Sequence, residues 1–168
     1  MINQATASKH ITLDRIDKRL LEALQANAKI SNLELAEKIG LSPTPCARRI
    51  KRMEDAGLIR GHVTLLDDAA LGLSLTAMIS ISMDRHTPER FENFEQQISN
   101  FPEIIECSIV TGQSADYLLK AVLPDMARYE EFLLGRLTKI EGVTGVHSSF
   151  VLRKVINRTA LPLNHLSR

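Results

Sequence analysis

The sequence predicts an α+β chain of two modules, an N-terminal winged-type helix-turn-helix followed by a C-terminal ferredoxin-like βαββαβ module. Three observations predict it. Two short helical patterns separated by a glycine turn lead into a third helix, "SPTPCARRIKRMEDAG", whose basic residues share a face. Strand and helix patterns then run in the order β-α-β-β-α-β. Charge also divides along the chain: residues 1–66 carry eleven basic and seven acidic residues, net +4, and residues 67–168 carry ten and thirteen, net −3. A basic front and an acidic rear assign any nucleic-acid contact to the first module.

Composition narrows the class. At 168 residues the chain suits one ordinary domain or two small ones. An apolar fraction of 44% and a charged fraction of 24% are those of a soluble globular protein. The start, "MINQATASKH", lacks the apolar core of a signal peptide. The longest apolar-leaning stretch, "LGLSLTAMISISM", is too short to cross a bilayer, so a cytoplasmic protein with no membrane partner is expected. Cys46 and Cys107 stand far apart with no Cys/His spacing beside them, so neither a metal nor another cofactor is expected.

Residues 1–11 read as a flexible tail and 12–57 as the helix-turn-helix. In the first helix Ile16, Leu20, Ala23 and Leu24 share a face. The second opens on a capping box, Ser31 with Glu34, and a staple, Ile30 with Leu35; Gly40 ends it. Ser42 then caps the third helix, Pro43 takes the first helical position, and Pro45 falls in the first turn, where N–H groups have no intrahelical acceptor. At about 100° per residue, Cys46, Ile50, Met53 and Gly57 face inward, so Cys46 reads as a small buried hydrophobe. Thr44, Arg48 and Lys51 face out, toward base edges, with Pro43 and Ala47 available to thymine methyls. Ser42, Arg49 and Arg52 suit phosphates. A solvated charged face is the bland alternative; the capped helix pair, the tight turn and the cluster of four basic residues in five positions on the third helix favour double-stranded DNA.

Residues 58–73 read as a β-ribbon and linker, with a β-rich segment at 58–66. Within 74–156, strands are expected at 74–83, 104–110, 116–123 and 143–155, with helices beginning at Pro88 and Asp125. Phe91, Phe94 and Ile98 line one helix; Tyr129, Leu133, Leu137 and Ile140 line the other. Both helices on one side of a four-stranded sheet leave its other face bare, which a second copy of the chain would cover. Residues 157–168 read as a short tail. In the turn "TGQSADYLLK", Gly112 frees the backbone to form an anion-binding nest and Asp116 offers a carboxylate. Together they could hold an amino acid by both ends, although a plain hairpin with Asp as turn-former is the simpler reading of the residues alone.

Taken together, "LDRIDKRLLEALQANAKISNLELAEKIGLSPTPCARRIKRMEDAGLIRG" and "FPEIIECSIVTGQSADYLLKAVLPDM" resemble the Lrp/AsnC family of transcriptional regulators, nearest its leucine-responsive branch, over about Leu13 to Val155. The resemblance implies a nucleoid-associated regulator of amino-acid metabolism with a RAM/ACT-like regulatory domain. It implies a homodimer assembling to a tetramer or octamer on AT-rich pseudo-palindromic DNA, with leucine or another apolar amino acid as effector. It makes Gly112, Gln113, Ser114, Ala115 and Asp116 effector candidates, with Ser148 and Ser149 completing the pocket. One departure stands out: family turns commonly read Gly-x-x-Asp-Tyr, whereas three residues separate Gly112 from Asp116 here. An architectural DNA-wrapping protein without an effector is the alternative. Some haem-pathway decarboxylases resemble the same architecture, but their chemistry wants clustered His or Arg, and His10, His62, His86, His147 and His165 are scattered. An enzyme is not expected.

Overall fold

Asp14 shows how local chemistry starts the first helix. In a computed structural model, which describes residues 11–111 and 115–166, Asp14 precedes α1 (Arg15–Ala26) and accepts the Asp17 N–H at 2.8 Å. Asp17 reciprocates by accepting the Asp14 N–H at 3.1 Å, closing a capping box. Helix α2 (Asn32–Ile39) repeats the device with Ser31 and Glu34. It ends in Gly40, held at φ 81°, with Leu41 N–H on the Ala36 carbonyl and Gly40 N–H on that of Glu37, the Schellman pattern. The Arg19 guanidinium reaches from α1 to the Ile39 and Lys38 carbonyls at 3.1 and 3.2 Å, satisfying acceptors that the helix end leaves open. Helix α3 (Pro43–Asp55) follows at once, tied to α2 by Asn32, whose side-chain amide donates to the Pro43 carbonyl. Leu20, Leu35, Cys46 and Met53 bury almost completely among these helices. Burying each such side chain contributes about 1.5–3 kcal/mol before entropy is charged against it.

The described residues form two compact units, 11–64 with 156–166, and 65–155. The stretch expected as a free tail therefore belongs with the helices: Leu163 packs on their core and the Gln25 side chain pairs with Leu161. The expected β-ribbon is not formed. After Gly57 turns the chain at φ 72°, residues 60–67 run without regular structure and mostly exposed. A strand needs a second backbone about 4.8 Å away, and none among the described residues pairs with this segment.

The second unit contains β1 (Leu75–Met83), α4 (Pro88–Ile98), β2 (Ile104–Ile109), β3 (Tyr117–Leu123), α5 (Met126–Gly135) and β4 (Val143–Phe150). All pairings are antiparallel in the order β2-β3-β1-β4, the ferredoxin-like arrangement that the chain order implies. Ala77, Ile79, Ile81 and Met83 alternate inward on β1 beside Tyr117, Leu119, Ala121 and Leu123 of β3, and Phe94, Ile98, Tyr129 and Phe132 cover them. Helix α5 is shorter than its pattern. It stops at Gly135, and Leu137–Lys139 form a 3-10 turn. Arg136, at the break, pairs with Glu103 at 2.7 Å and lies 4.1 Å over the Phe101 ring. Leu137 and Ile140 stay buried all the same. β4 also stops early, because Phe150 already pairs with Ala77, and β1 has little length left beyond it.

Two outcomes follow for stability. Gly40→Ala finds open space but a left-handed backbone, so a loss of about 1–2 kcal/mol is expected in denaturant unfolding. The Asp17 N–H lowers the Asp14 carboxyl from its ordinary 3.8, and the Ser31 hydroxyl lowers Glu34 from 4.5. A depressed carboxylate stabilises the fold above its unfolded value and loses that contribution as pH falls through its folded value. The melting temperature should therefore hold down to about pH 5 and then drop toward pH 3, and Glu34→Gln should reduce the drop.

Candidate functional site

Two regions carry the residues that the sequence singled out. The first is the outer face of α3. Ser42, Pro43, Thr44, Ala47, Arg48 and Lys51 are all exposed, while Cys46 and Met53 are wholly buried on the opposite side. Burial also pushes the Cys46 thiol up from its ordinary range, so it stays protonated and unreactive. Arg48 has no hydrogen-bond or ion-pair partner among the described residues. Lys51 makes only a loose pair with Asp55 at 3.7 Å, both side chains being exposed.

The start of α3 is unusual in its donors. Ser42 occupies the N-cap position without a side-chain capping bond. An N-cap oxygen normally accepts from the second or third helical N–H, but the third residue is Pro45 and has none. Cys46 N–H is already on the Ser42 carbonyl at 3.3 Å. The Thr44 N–H and the Ser42 hydroxyl are thus the groups left for an anion at this end.

Arg49 and Arg52 correct an expectation. Both were expected to face phosphates, yet both turn toward α1. Arg49 Nη1 lies 2.8 Å from Asp17 Oδ1 and 2.7 Å from Asp14 Oδ2, and Arg52 Nη2 lies 2.5 Å from Asp17 Oδ2. Asp17 is only 1% exposed, and a buried carboxylate draws in the nearest cations to offset its lost hydration. The two carboxylates in turn hold the Arg49 guanidinium above its ordinary value, Asp17 contributing most. Sequence reasoning missed Asp17. The signal was available, because it stands four residues before Leu21 and three before Leu20, on the apolar side of α1.

The second region surrounds the turn between β2 and β3. Gly112, Gln113 and Ser114 lie outside the described residues. Ala115 and Asp116 are half-buried. Asp116 joins the turn to the end of β1: its N–H donates to the Ile81 carbonyl at 2.7 Å and its Oδ2 accepts the Met83 N–H at 2.7 Å. Its Oδ1 is 2.7 Å from Nε2 of His86, a largely exposed side chain that the sequence reading had left without a role. Ser148 and Ser149 cannot both line one pocket, which corrects their pairing. Ser148 pairs with buried Ile79 and meets the Tyr129 hydroxyl on the helix side; Ser149 pairs with Met78 on the open face. Successive strand residues point to opposite faces. The open face also carries Ser80, Leu118, Lys120, Val122 and His147.

The buried carboxylate gives a direct test of the α3 arrangement. Asp17→Asn should cost about 2–3 kcal/mol of unfolding free energy, less than a fully buried pair because both arginines are partly hydrated. Double-mutant cycles with Arg49→Ala and Arg52→Ala should show coupling.

A family model described as the Lrp/AsnC ligand binding domain matches residues 76–161, and one described as a winged helix-turn-helix DNA-binding domain matches 13–60. The chain is 40% identical to the Bkd operon transcriptional regulator of Pseudomonas aeruginosa, over 90% of this chain and 98% of that one. It is 41% identical to the leucine-responsive regulatory protein of Escherichia coli, over 85% and 87%. Among solved structures, a transcriptional regulator of Neisseria meningitidis in complex with L-Met superposes with a TM-score of 0.88 at 41% identity, covering 92% of this chain and 99% of that one. An AsnC family regulator of Agrobacterium tumefaciens gives 0.86 at 38% identity, over 91% and 99%. These matches span both units, and the chain belongs to the Lrp/AsnC family of transcriptional regulators.

Proposed function

We propose that the chain regulates transcription by laying α3 in a major groove, and that an apolar amino acid bound near Asp116 modulates it. Arg48, exposed and without a partner among the described residues, on a helix that Asp17 fixes from behind, carries this reading. A held helix sets the register, and a free guanidinium can bond a guanine edge with two donors. Thr44 and Lys51 flank it on the same face, with Pro43 and Ala47 toward thymine methyls. Ser42 and the Thr44 N–H take a phosphate. Arg49 and Arg52 act at one remove, by fixing the helix.

The half-apolar open face of the sheet, with Met78, Leu118 and Val122 among its residues, favours a homodimer. Two α3 helices related by a two-fold axis match a pseudo-palindromic, AT-rich site, and further assembly to a tetramer or octamer would extend the DNA contact. The effector reading draws support from the Neisseria meningitidis regulator, whose structure holds L-Met. Leucine, which the Escherichia coli relative's name points to, and methionine are therefore the first ligands to try. In this reading an incoming ammonium takes the place of His86 at Asp116 Oδ1, while Oδ2 stays on the Met83 N–H. The residues 112–114 supply the carboxylate end, and Ala115 leaves room for an apolar side chain.

Two measurements test it. Arg48→Ala should lose about 1–3 kcal/mol on a selected operator and much less on random DNA; equal losses would make Arg48 a phosphate contact. A thermal-shift screen of the twenty amino acids should raise the melting temperature with leucine or methionine, since a ligand at 100 times its Kd adds about 2.7 kcal/mol. No shift with any amino acid at millimolar concentration would refute the effector and leave the DNA reading intact.

A further inference from the structure

Residues 159–166, "TALPLNHL", return to the first helix in a specific way. Gln25, in the last turn of α1, pairs with one residue of this segment twice. Its side-chain oxygen accepts the Leu161 N–H at 2.6 Å, and its side-chain nitrogen donates to the Leu161 carbonyl at 3.2 Å. An extended residue presents its N–H and C=O to the same side, as in a β ladder, and a primary amide complements that pair. Pro162 biases Leu161 toward the extended form in advance, because a residue before proline avoids the helical region. Two residues on, Leu163 packs against the helical core, and a single 3-10 turn, Asn164–Leu166, follows. The segment thus has a seat and a clasp. Both are light: Leu161 is 71% exposed and the two hydrogen bonds lie at the surface.

We propose that residues 156–166 are a releasable strap of the DNA-binding unit, and that the state of the strap sets how firmly α3 is held. The chain of effects runs through α1. The strap grips the C-terminal turn of α1 at Gln25 and covers the core at Leu163. Helix α1 carries Asp17, and Asp17 holds Arg49 and Arg52 of the recognition helix. A segment held by surface hydrogen bonds and one half-buried leucine opens at the low end of a protein's range of local stabilities. It is also continuous with β4 through residues 151–155, so the strap is joined covalently to the last strand of the regulatory unit and by hydrogen bonds to the first helix of the other. Near its root, Lys154 is ion-paired with Asp68, which lowers the Asp68 carboxyl below its ordinary value.

The test uses the full chain, Gln25→Ala, Gln25→Glu, and a chain stopped after Arg158. Amide hydrogen exchange of α1 should quicken about fivefold in Gln25→Ala and further in the stopped chain, while β1 and β3 exchange as before. Gln25→Glu retains the acceptor for the Leu161 N–H and should fall between Gln25→Ala and the parent. Operator affinity of Gln25→Ala should drop about twofold to fivefold. Unchanged α1 exchange in Gln25→Ala would overturn the strap, whatever happens to the stopped chain. Faster α1 exchange with unchanged operator affinity would overturn the link to α3. That second readout rests on the DNA reading, and failure of the parent protein itself to bind the operator would be visible as such; the exchange readout stands without it.

Discussion

A single buried carboxylate organises the DNA-binding unit. Asp17 caps its own helix through the Asp14 N–H and then accepts two guanidinium groups from α3. Taking one carboxylate out of water costs several kcal/mol unless cations return what hydration gave. That cost makes the arrangement selective: α3 settles against α1 where both arginines can reach Asp17. Hydrophobic contacts of Cys46, Ile50 and Met53 supply most of the cohesion but tolerate small slides and rotations. The charges remove that tolerance. Basic residues of one helix therefore divide by geometry, with Arg49 and Arg52 spent on placement and Arg48 and Lys51 left for a partner.

The regulatory unit uses a comparable economy at Asp116. One side chain and its backbone join the end of β1 to the turn before β3, and the remaining oxygen meets His86. Under the proposed effector reading, a ligand would exchange one partner of a group that already holds the fold together, and β1 would feel that exchange directly. Since β1 pairs with both β3 and β4, it is the central strand through which such a change would spread. Ser148 and Ser149, adjacent in sequence, face separate compartments of this unit, one toward Tyr129 and one toward the open face.

Much of this was legible in the sequence, for identifiable reasons. Capping boxes, prolines at helix starts and Gly40 act within four residues, so the helices of the first unit follow from local chemistry. The period-two strands and the two apolar helix stripes predict the βαββαβ order, and the observed elements follow it. What escaped was set at long range. On a helical wheel Arg49 flanks the apolar face and Arg52 lies outside it, and neither reveals its partner until the buried Asp17 on α1 is known. The extent of α5 yielded to Arg136, which finds Glu103 and the Phe101 ring far away in sequence. Residues 60–67 have strand-like composition, but composition does not provide a neighbouring backbone.

The pairing of Gln25 with Leu161 spans 136 positions of the chain. Synthesis runs from the amino end, and domains generally fold as they emerge. Here the unit made first receives this piece only after the regulatory unit has been synthesised. The nascent helices can gather their core early, but the clasp at the end of α1 waits for residues 65–155 to be made before Leu161 reaches it. Completion of the DNA-binding unit is in this sense a report that the regulatory unit has been made.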